Sequence, residues 1–97
     1  MIAKIYIGVE RFYYEPDYDD NLAHFDKRVC DIAGGFTRYN AQGGWKGSDG
    51  KYWLEDSIVY EVATDIDNAR LVAKHAKSFF EQEAVLLMVI QAESELI

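Results

Sequence analysis

The chain has 97 residues, of which 17 are acidic and 10 are lysine or arginine, so its formal net charge at pH 7 is −7. Affinity for nucleic acid requires clustered basic side chains, and the lack of such a cluster argues against direct nucleic-acid binding. The negative charge also disfavours anionic membrane surfaces, and no apolar stretch reaches the roughly 20 residues of a membrane helix. The single cysteine, Cys30, excludes an intramolecular disulfide. Together with the absence of a signal-peptide pattern, this predicts a cytoplasmic protein.

A strand and a loop are predicted at the start of the chain. Residues 3–9 alternate between apolar and other side chains, as in a half-buried strand, with Ile5, Ile7 and Val9 on one face. Residues 11–20 contain the only proline and four acidic residues, so we expect a loop there. The aromatic patch expected on this loop comprises Phe12, Tyr13, Tyr14 and Tyr18.

A first helix is predicted to follow the loop, with Asp19, Asp20 or Asn21 as its N-cap. Gly34 and Gly35 are expected to end it, because glycine accepts the left-handed conformation of a helix C-terminus. The apolar stripe of this helix recurs at helical spacing and consists of Leu22, Phe25, Val29 and Ile32.

The middle of the chain predicts a β-hairpin. Residues 36–39 and 57–62 are rich in β-branched and aromatic side chains, which favour strands. The connection between them is rich in glycine, and Ser48-Asp49-Gly50 is a strong turn signal. A hairpin needs a third strand or a helix for stability, so we expect the rest of the chain to pack on it.

A second helix and a final strand complete the pattern. Residues 64–68 offer several N-caps, and their acidic side chains suit the N-terminus of a helix. The apolar stripe that follows consists of Ala69, Val72, Ala73, Ala76, Phe79 and Phe80. Residues 84–90 form a continuous apolar run, AVLLMVI, which is typical of a strand covered on both faces.

The order of the elements predicts an α+β, ferredoxin-like β-α-β-β-α-β fold in a single domain over residues 1–97. Right-handed crossovers place both helices on one face of a four-stranded antiparallel sheet. The other face keeps too much apolar surface for water, so we expect a second copy of the chain to cover it, in a dimer or higher homo-oligomer. A ligand or a different protein is the alternative. The expected interface residues are Tyr6, Tyr60, Leu86 and Met88, with Val59 or Ile58 and Ile90.

Four short motifs in residues 34–90 resemble a family of short, mostly uncharacterised bacterial and phage domains. The motifs, in order, are Gly35-Phe36-Thr37, Gly43-Gly44-Trp45, Glu55-Asp56-Ser57 and Phe80-Glu81-Gln82-Glu83-Ala84-Val85. The resemblance implies a ferredoxin-like fold and fixes no activity. Some small phage proteins that look like this bind or inhibit host systems, so the resemblance implies that such a role is open to this chain.

Polar side chains at strand and helix junctions form the predicted ligand site. A carboxylate and an amide beside indole rings suit a small planar ligand, such as a nucleotide-like molecule, through hydrogen bonding and stacking. The alternative is that these groups satisfy backbone atoms at the helix end or pair with a lysine or arginine. The predicted site residues are Trp45, Trp53, Glu55, Ser57, Gln82 and Glu83.

No catalytic, metal-binding or cofactor signature is found in the sequence. His24 and His75 have no second ligand at i+3 or i+4 and are predicted to be surface histidines. The sequence therefore predicts a non-enzymatic binding protein, and in a sharper form a phage-type inhibitor that sequesters a nucleotide-like ligand or blocks a host protein. The alternatives are a small enzyme with Glu55 or Glu83 as its general base, and a purely structural subunit of an oligomer.

Overall fold

The structure, a computed structural model, describes residues 1–9 and 14–97. Its helices and strands follow the predicted β-α-β-β-α-β order. The elements are β1 Ile2–Gly8, α1 Tyr18–Ala33, β2 Thr37–Lys46, β3 Tyr52–Ala63, α2 Ile66–Phe79 and β4 Leu86–Ile90. Within the described part of the chain, neither helix combines the length and the apolar character needed to cross a membrane.

The four strands form one antiparallel sheet in the order β2-β3-β1-β4. Strand β1 is a central strand, so that its residue Ile5 lies opposite Tyr60 of β3 on one side and opposite Leu87 of β4 on the other. Both helices contribute to the single core on one side of this sheet. The predicted ferredoxin-like α+β fold is therefore confirmed.

The core is built by the alternation of β1 and the apolar stripes of the helices. Ala3, Ile5 and Ile7 are fully buried, whereas Lys4 and Tyr6 between them are only half-buried. Small alanines on α2 let this helix lie close to the sheet. The helix residues that the core buries are Leu22, Phe25, Val29, Ala69, Val72 and Ala76, as the two stripes predicted.

The hairpin is much longer than the sequence analysis predicted. Gly43 and Gly44 were expected in the connection, but they lie inside β2, opposite Glu55 and Leu54 of β3. A glycine in an extended conformation costs a strand some stability without breaking its hydrogen-bond ladder. The number of glycines therefore led to an overestimate of the length of the turn. The turn itself is short, with the Gly47 amide donating to the Lys51 carbonyl at 2.8 Å and Gly50 at a positive φ of 82°.

The helix boundaries are partly as predicted. Helix α2 begins as expected, because the side chain of Asp65 accepts a hydrogen bond from the Asn68 amide at 2.8 Å. Helix α1 begins earlier than predicted, at Tyr18, and its N-cap Asp17 makes no side-chain capping bond. Part of the predicted aromatic loop therefore belongs to the helix, while residues 10–13 lie outside the described residues.

Strand β4 differs from the prediction of a strand covered on both faces. It is an edge strand of five residues, and most of its side chains are exposed in the single chain. The side chains of the continuous apolar run at residues 84–90 thus form two rows. One row partly faces the core, where Leu87 packs, and the other faces away from it.

One carboxylate joins α1 to two strands. Asp26 accepts a hydrogen bond from the Tyr60 hydroxyl at 2.5 Å and from Arg38 Nε at 3.0 Å. The ring of Tyr60 is fully buried between Phe25 and Phe36. Burial raises the pKa of the Tyr60 phenol, and its hydrogen bond to Asp26 raises the pKa further, so the hydroxyl stays a donor.

Replacing Asp26 by alanine should destabilise the fold by about 1–3 kcal/mol, because the buried Tyr60 hydroxyl loses its acceptor. Urea unfolding at a fixed protein concentration measures the difference. Asp31→Ala is the matched control, since Asp31 is exposed on the same helix, and its effect should stay within about 0.5 kcal/mol. Equal stability of Asp26→Ala and wild type would contradict this role of Asp26.

Two adjacent glycines provide a second test of the fold. A Cβ at either Gly34 or Gly35 would meet no atom within 4 Å, but only Gly34 has a left-handed φ, of 85°. Gly34→Ala should therefore cost about 1–2 kcal/mol, from backbone strain alone. Gly35→Ala should be neutral or should stabilise the fold by up to about 1 kcal/mol, because alanine lowers the conformational entropy of the unfolded chain. Thermal unfolding followed by circular dichroism distinguishes them, and equal shifts would refute the assigned cap.

Candidate functional site

The side of the sheet opposite the helices, here called the open face, carries alternate residues of all four strands. Tyr6 lies opposite Val59 and Leu86, and Val59 lies opposite Tyr39, so one row crosses the whole sheet. Leu86 is 58% exposed. The open face comprises Ile2, Lys4, Tyr6, Gly8, Thr37, Tyr39, Ala41, Gly43, Glu55, Ser57, Val59, Glu61, Leu86, Met88 and Ile90.

One predicted interface residue does not belong to this face. Tyr60 is fully buried and belongs to the helix-side core, where its hydroxyl binds Asp26. The sequence left open which of Val59 and Tyr60 faces the helices, because both are apolar enough for either side. The register places Val59 on the open face, and the prediction for Tyr60 was therefore wrong.

A small polar network crosses the middle of the open face. Lys4 Nζ lies 3.2 Å from Glu61 Oε1, and the Tyr39 hydroxyl donates to the same oxygen at 3.1 Å. The hydrogen bond to Glu61 raises the pKa of Lys4, which keeps its amine charged. The one positive and one negative charge cancel, so the centre of the open face carries no net charge.

Glu55 and Gln82 meet above Gly8, where β1 ends. A Cβ built on Gly8 would lie 3.0 Å from Gln82 Oε1, 3.2 Å from Glu55 Oε2 and 3.3 Å from Glu55 Oε1. Ser57 is the cross-strand partner of Gly8, and its hydroxyl would lie 3.4 Å from a Cβ on Gly43. Because the two glycines have no side chains, these three polar side chains lie directly against the backbone of the sheet. We call Gly8, Gly43, Glu55, Ser57 and Gln82 the Gly8 cluster.

The end of α2 orients Gln82 toward this cluster. The side-chain nitrogen of Gln82 donates to the Phe80 carbonyl at 2.9 Å, and its backbone amide donates to the Lys77 carbonyl at 2.9 Å. Glu81 between them has a positive φ of 50°, which turns the chain out of the helix. The side-chain donor of Gln82 is therefore used locally, and its oxygen is the atom directed at Gly8.

The two tryptophans form a stacked pair further along the hairpin. Trp45 and Trp53 are cross-strand partners whose ring centroids lie 6.0 Å apart with an interplanar angle of 20°. Both are about half exposed. Trp53 follows the same alternation as Glu55, so the indole pair lies on the open side of the hairpin, one side-chain step beyond the Gly8 cluster.

The structure thus brings together three of the six predicted site residues, Glu55, Ser57 and Gln82. Trp45 and Trp53 lie beside them on the same side of the hairpin, whereas Glu83 is exposed and no described contact joins it to the cluster. The prediction missed Gly8 and Gly43. The sequence contained a signal for Gly8. It lies on the outward-facing side of a regular strand, where a glycine often indicates that another group comes close to the backbone.

The chemistry of the Gly8 cluster is that of a hydrogen-bond acceptor. Three oxygens, from Glu55 and Gln82, converge on one point, and the Ser57 hydroxyl adjoins them. Such a set suits a ligand that presents N–H or O–H donors or a positive charge. Among residues 1–9 and 14–97, no group of three His, Cys, Asp or Glu side chains is arranged to hold a metal ion.

Sequence comparison places the chain in no family. No protein-family model matches it, and no curated protein matches its sequence. The resemblance to the short bacterial and phage domains therefore stays a prediction.

Several solved structures share the fold. The periplasmic divalent cation tolerance protein CutA from Archaeoglobus fulgidus is 16% identical, with 99% of this chain and 88% of that chain covered and a TM-score of 0.68. A phage SAM lyase in complex with S-methyl-5′-thioadenosine is 14% identical, with 89% and 76% covered and a TM-score of 0.63. The divalent cation tolerance protein from Thermus thermophilus is 11% identical, with 97% and 88% covered and a TM-score of 0.64. At these identities the similarity shows the fold alone.

Proposed function

We propose that the chain is a self-associating binding protein whose Gly8 cluster holds a small nucleoside-like ligand. The observation that carries this proposal is the convergence of three acceptor oxygens, from Glu55 and Gln82, above a residue without a side chain. A purely structural role for Gln82 would require only the hydrogen bond from its side-chain nitrogen to the Phe80 carbonyl. That role does not account for the position of its side-chain oxygen.

The charge of the cluster selects among planar ligands. A carboxylate and a carbonyl oxygen favour the exocyclic amine and the ribose hydroxyls of a nucleoside, whereas a phosphate would be repelled by Glu55 and by the net charge of −7. The exposed indole pair, Trp45 and Trp53, offers a stacking surface nearby. The structural neighbour that binds S-methyl-5′-thioadenosine supports a nucleoside ligand in this fold. Retention of such a ligand without turnover is the sequestering role that the sequence predicted.

The open face supports the proposed self-association. Leu86, Met88 and Ile90 are each more than two fifths exposed on one edge strand, beside Tyr6 on β1. Apolar surface of this kind is usually covered in soluble proteins. Because Lys4 and Glu61 neutralise each other, the negative net charge does not oppose contact at the centre of this face. We therefore propose a second copy of the chain as the partner.

Ligand binding can be tested by isothermal titration calorimetry with S-methyl-5′-thioadenosine. Wild type should bind it, and should bind adenosine 5′-monophosphate more weakly because of the added negative charge. Glu55→Gln should weaken binding at least about tenfold, since a hydrogen bond to a charged acceptor contributes about 1.5–3 kcal/mol. Gly8→Ala should weaken it similarly, because the new methyl group would displace Gln82 and Glu55.

Glu93→Gln is the control for charge, because Glu93 is exposed in the segment after β4, and it should leave binding unchanged. Absence of binding to wild type, or an equal loss in the control, would refute the proposed ligand site. Conversion of S-adenosylmethionine to S-methyl-5′-thioadenosine, lost in Glu55→Gln, would establish instead the enzymatic alternative with Glu55 as its base.

Sedimentation velocity tests the proposed self-association. Wild type should sediment as a dimer or larger homo-oligomer, and Met88→Glu should shift it to monomer, because a buried unpaired charge is costly at an interface. Leu71→Glu is the matched control: Leu71 is 42% exposed and Met88 45%, but Leu71 lies on helix α2. A wild-type chain that is monomeric at all concentrations would overturn this part of the proposal.

A further inference from the structure

A groove of about 360 Å³ lies between the two helices, on the side of the molecule that the sheet does not occupy. Helix α1 contributes residues four positions apart, and α2 contributes residues three and four positions apart, so each helix presents one face to the groove. The residues that line it are His24, Phe25, Arg28, His75, Ser78 and Phe79.

The groove contains two histidines that the sequence placed separately on the surface. His24 lies on α1 and His75 on α2, and the packing of the two helices brings both to the same groove with Arg28. A spacing rule applied to one helix at a time could not find this pair. His24 is exposed and His75 is half-buried, so the groove combines accessible and partly covered imidazoles.

The polar side chains of the groove have unused hydrogen-bond donors. Among the described residues, no hydrogen bond or ion pair uses the side chains of His24, Arg28, His75 or Ser78. No acidic residue is found among the described groove residues. A chain with a net charge of −7 thus has, at this place, a site that contains only neutral or positively charged groups.

We propose that this groove binds an oxyanion carried on a flat apolar group, such as an aromatic sulfonate, phosphate or carboxylate. Arg28, His24 and His75 would bind the anionic oxygens, with Ser78 as a further donor. Phe79 is 42% exposed and supplies an apolar wall for the attached group, while Phe25 closes the floor. The volume lies within the range of small-ligand sites. This inference is independent of the Gly8 cluster, which lies on the other side of the sheet.

A metal ion is the competing occupant of a pair of histidines. Two imidazoles can hold a divalent transition metal, but the guanidinium of Arg28 in the same groove repels a cation. An anion, in contrast, is attracted by Arg28 and accepts hydrogen bonds from imidazole N–H groups. The charged and titratable groups facing the groove are His24 and Arg28 from α1 and His75 from α2.

Titration of the ¹⁵N-labelled protein with benzenesulfonate, followed by amide chemical shifts, tests this site. Benzenesulfonate carries one negative charge throughout the neutral pH range. We expect shifts centred on the groove and weaker binding of methanesulfonate, which lacks the ring. Arg28→Gln should weaken binding roughly threefold or more, as for one exposed ion pair.

Arg70→Gln is the control, because it removes the same charge from an exposed position of α2 outside the groove. It should leave the affinity unchanged, and thermal unfolding should show that all variants fold. Shifts centred elsewhere, equal binding of the two sulfonates, or an equal loss in Arg70→Gln would overturn the proposal. So would zinc binding at His24 and His75 without any response to the sulfonates.

Discussion

The alternation of strand β1 is the constraint on which the rest of the structure depends. Its inward residues Ile5 and Ile7 share one core with residues of both helices, and its outward residues Lys4, Tyr6 and Gly8 lie on the open face. Because β1 is hydrogen-bonded on both sides, the register of β3 and β4 follows from it. A shift of one residue would bury the charged Lys4 and expose the core, which explains why a single arrangement is favoured.

The sequence was sufficient to predict the fold and insufficient to predict the faces of every strand. Period-two alternation was unambiguous in β1, and the helix stripes contained the residues that the core buries. In β3, by contrast, Ile58, Val59 and Tyr60 are three consecutive apolar residues, all fully buried, and composition could not decide which face each takes. The register of β3 against β1 assigns the faces, and it brings Tyr60 to Asp26, 34 positions away in the chain, a contact that no local pattern encodes.

The two candidate sites differ in how far sequence could predict them. Glu55, Ser57 and Gln82 were predicted because the sequence analysis placed them at strand and helix junctions, but Gly8, the point where they converge, comes from a strand distant in sequence. The pair of His24 and His75 depends on the packing of α1 against α2 and is invisible to spacing within one helix. In both cases the sequence shows which residue types are present, whereas their proximity depends on the tertiary structure.

The unequal strand lengths have a mechanical consequence. Within residues 1–9 and 14–97, the last backbone hydrogen bond between β1 and β3 runs from the Val9 amide to the Asp56 carbonyl at 3.0 Å, and residues 52–55 of β3 pair with β2 alone. A two-stranded ribbon twists more strongly and bends at lower energetic cost than a wider sheet. The indoles of Trp45 and Trp53 lie on this two-stranded part of the hairpin, which begins beside Gly8. A small bend of the hairpin there would change the distance between the indole rings and the Gly8 cluster without moving the core.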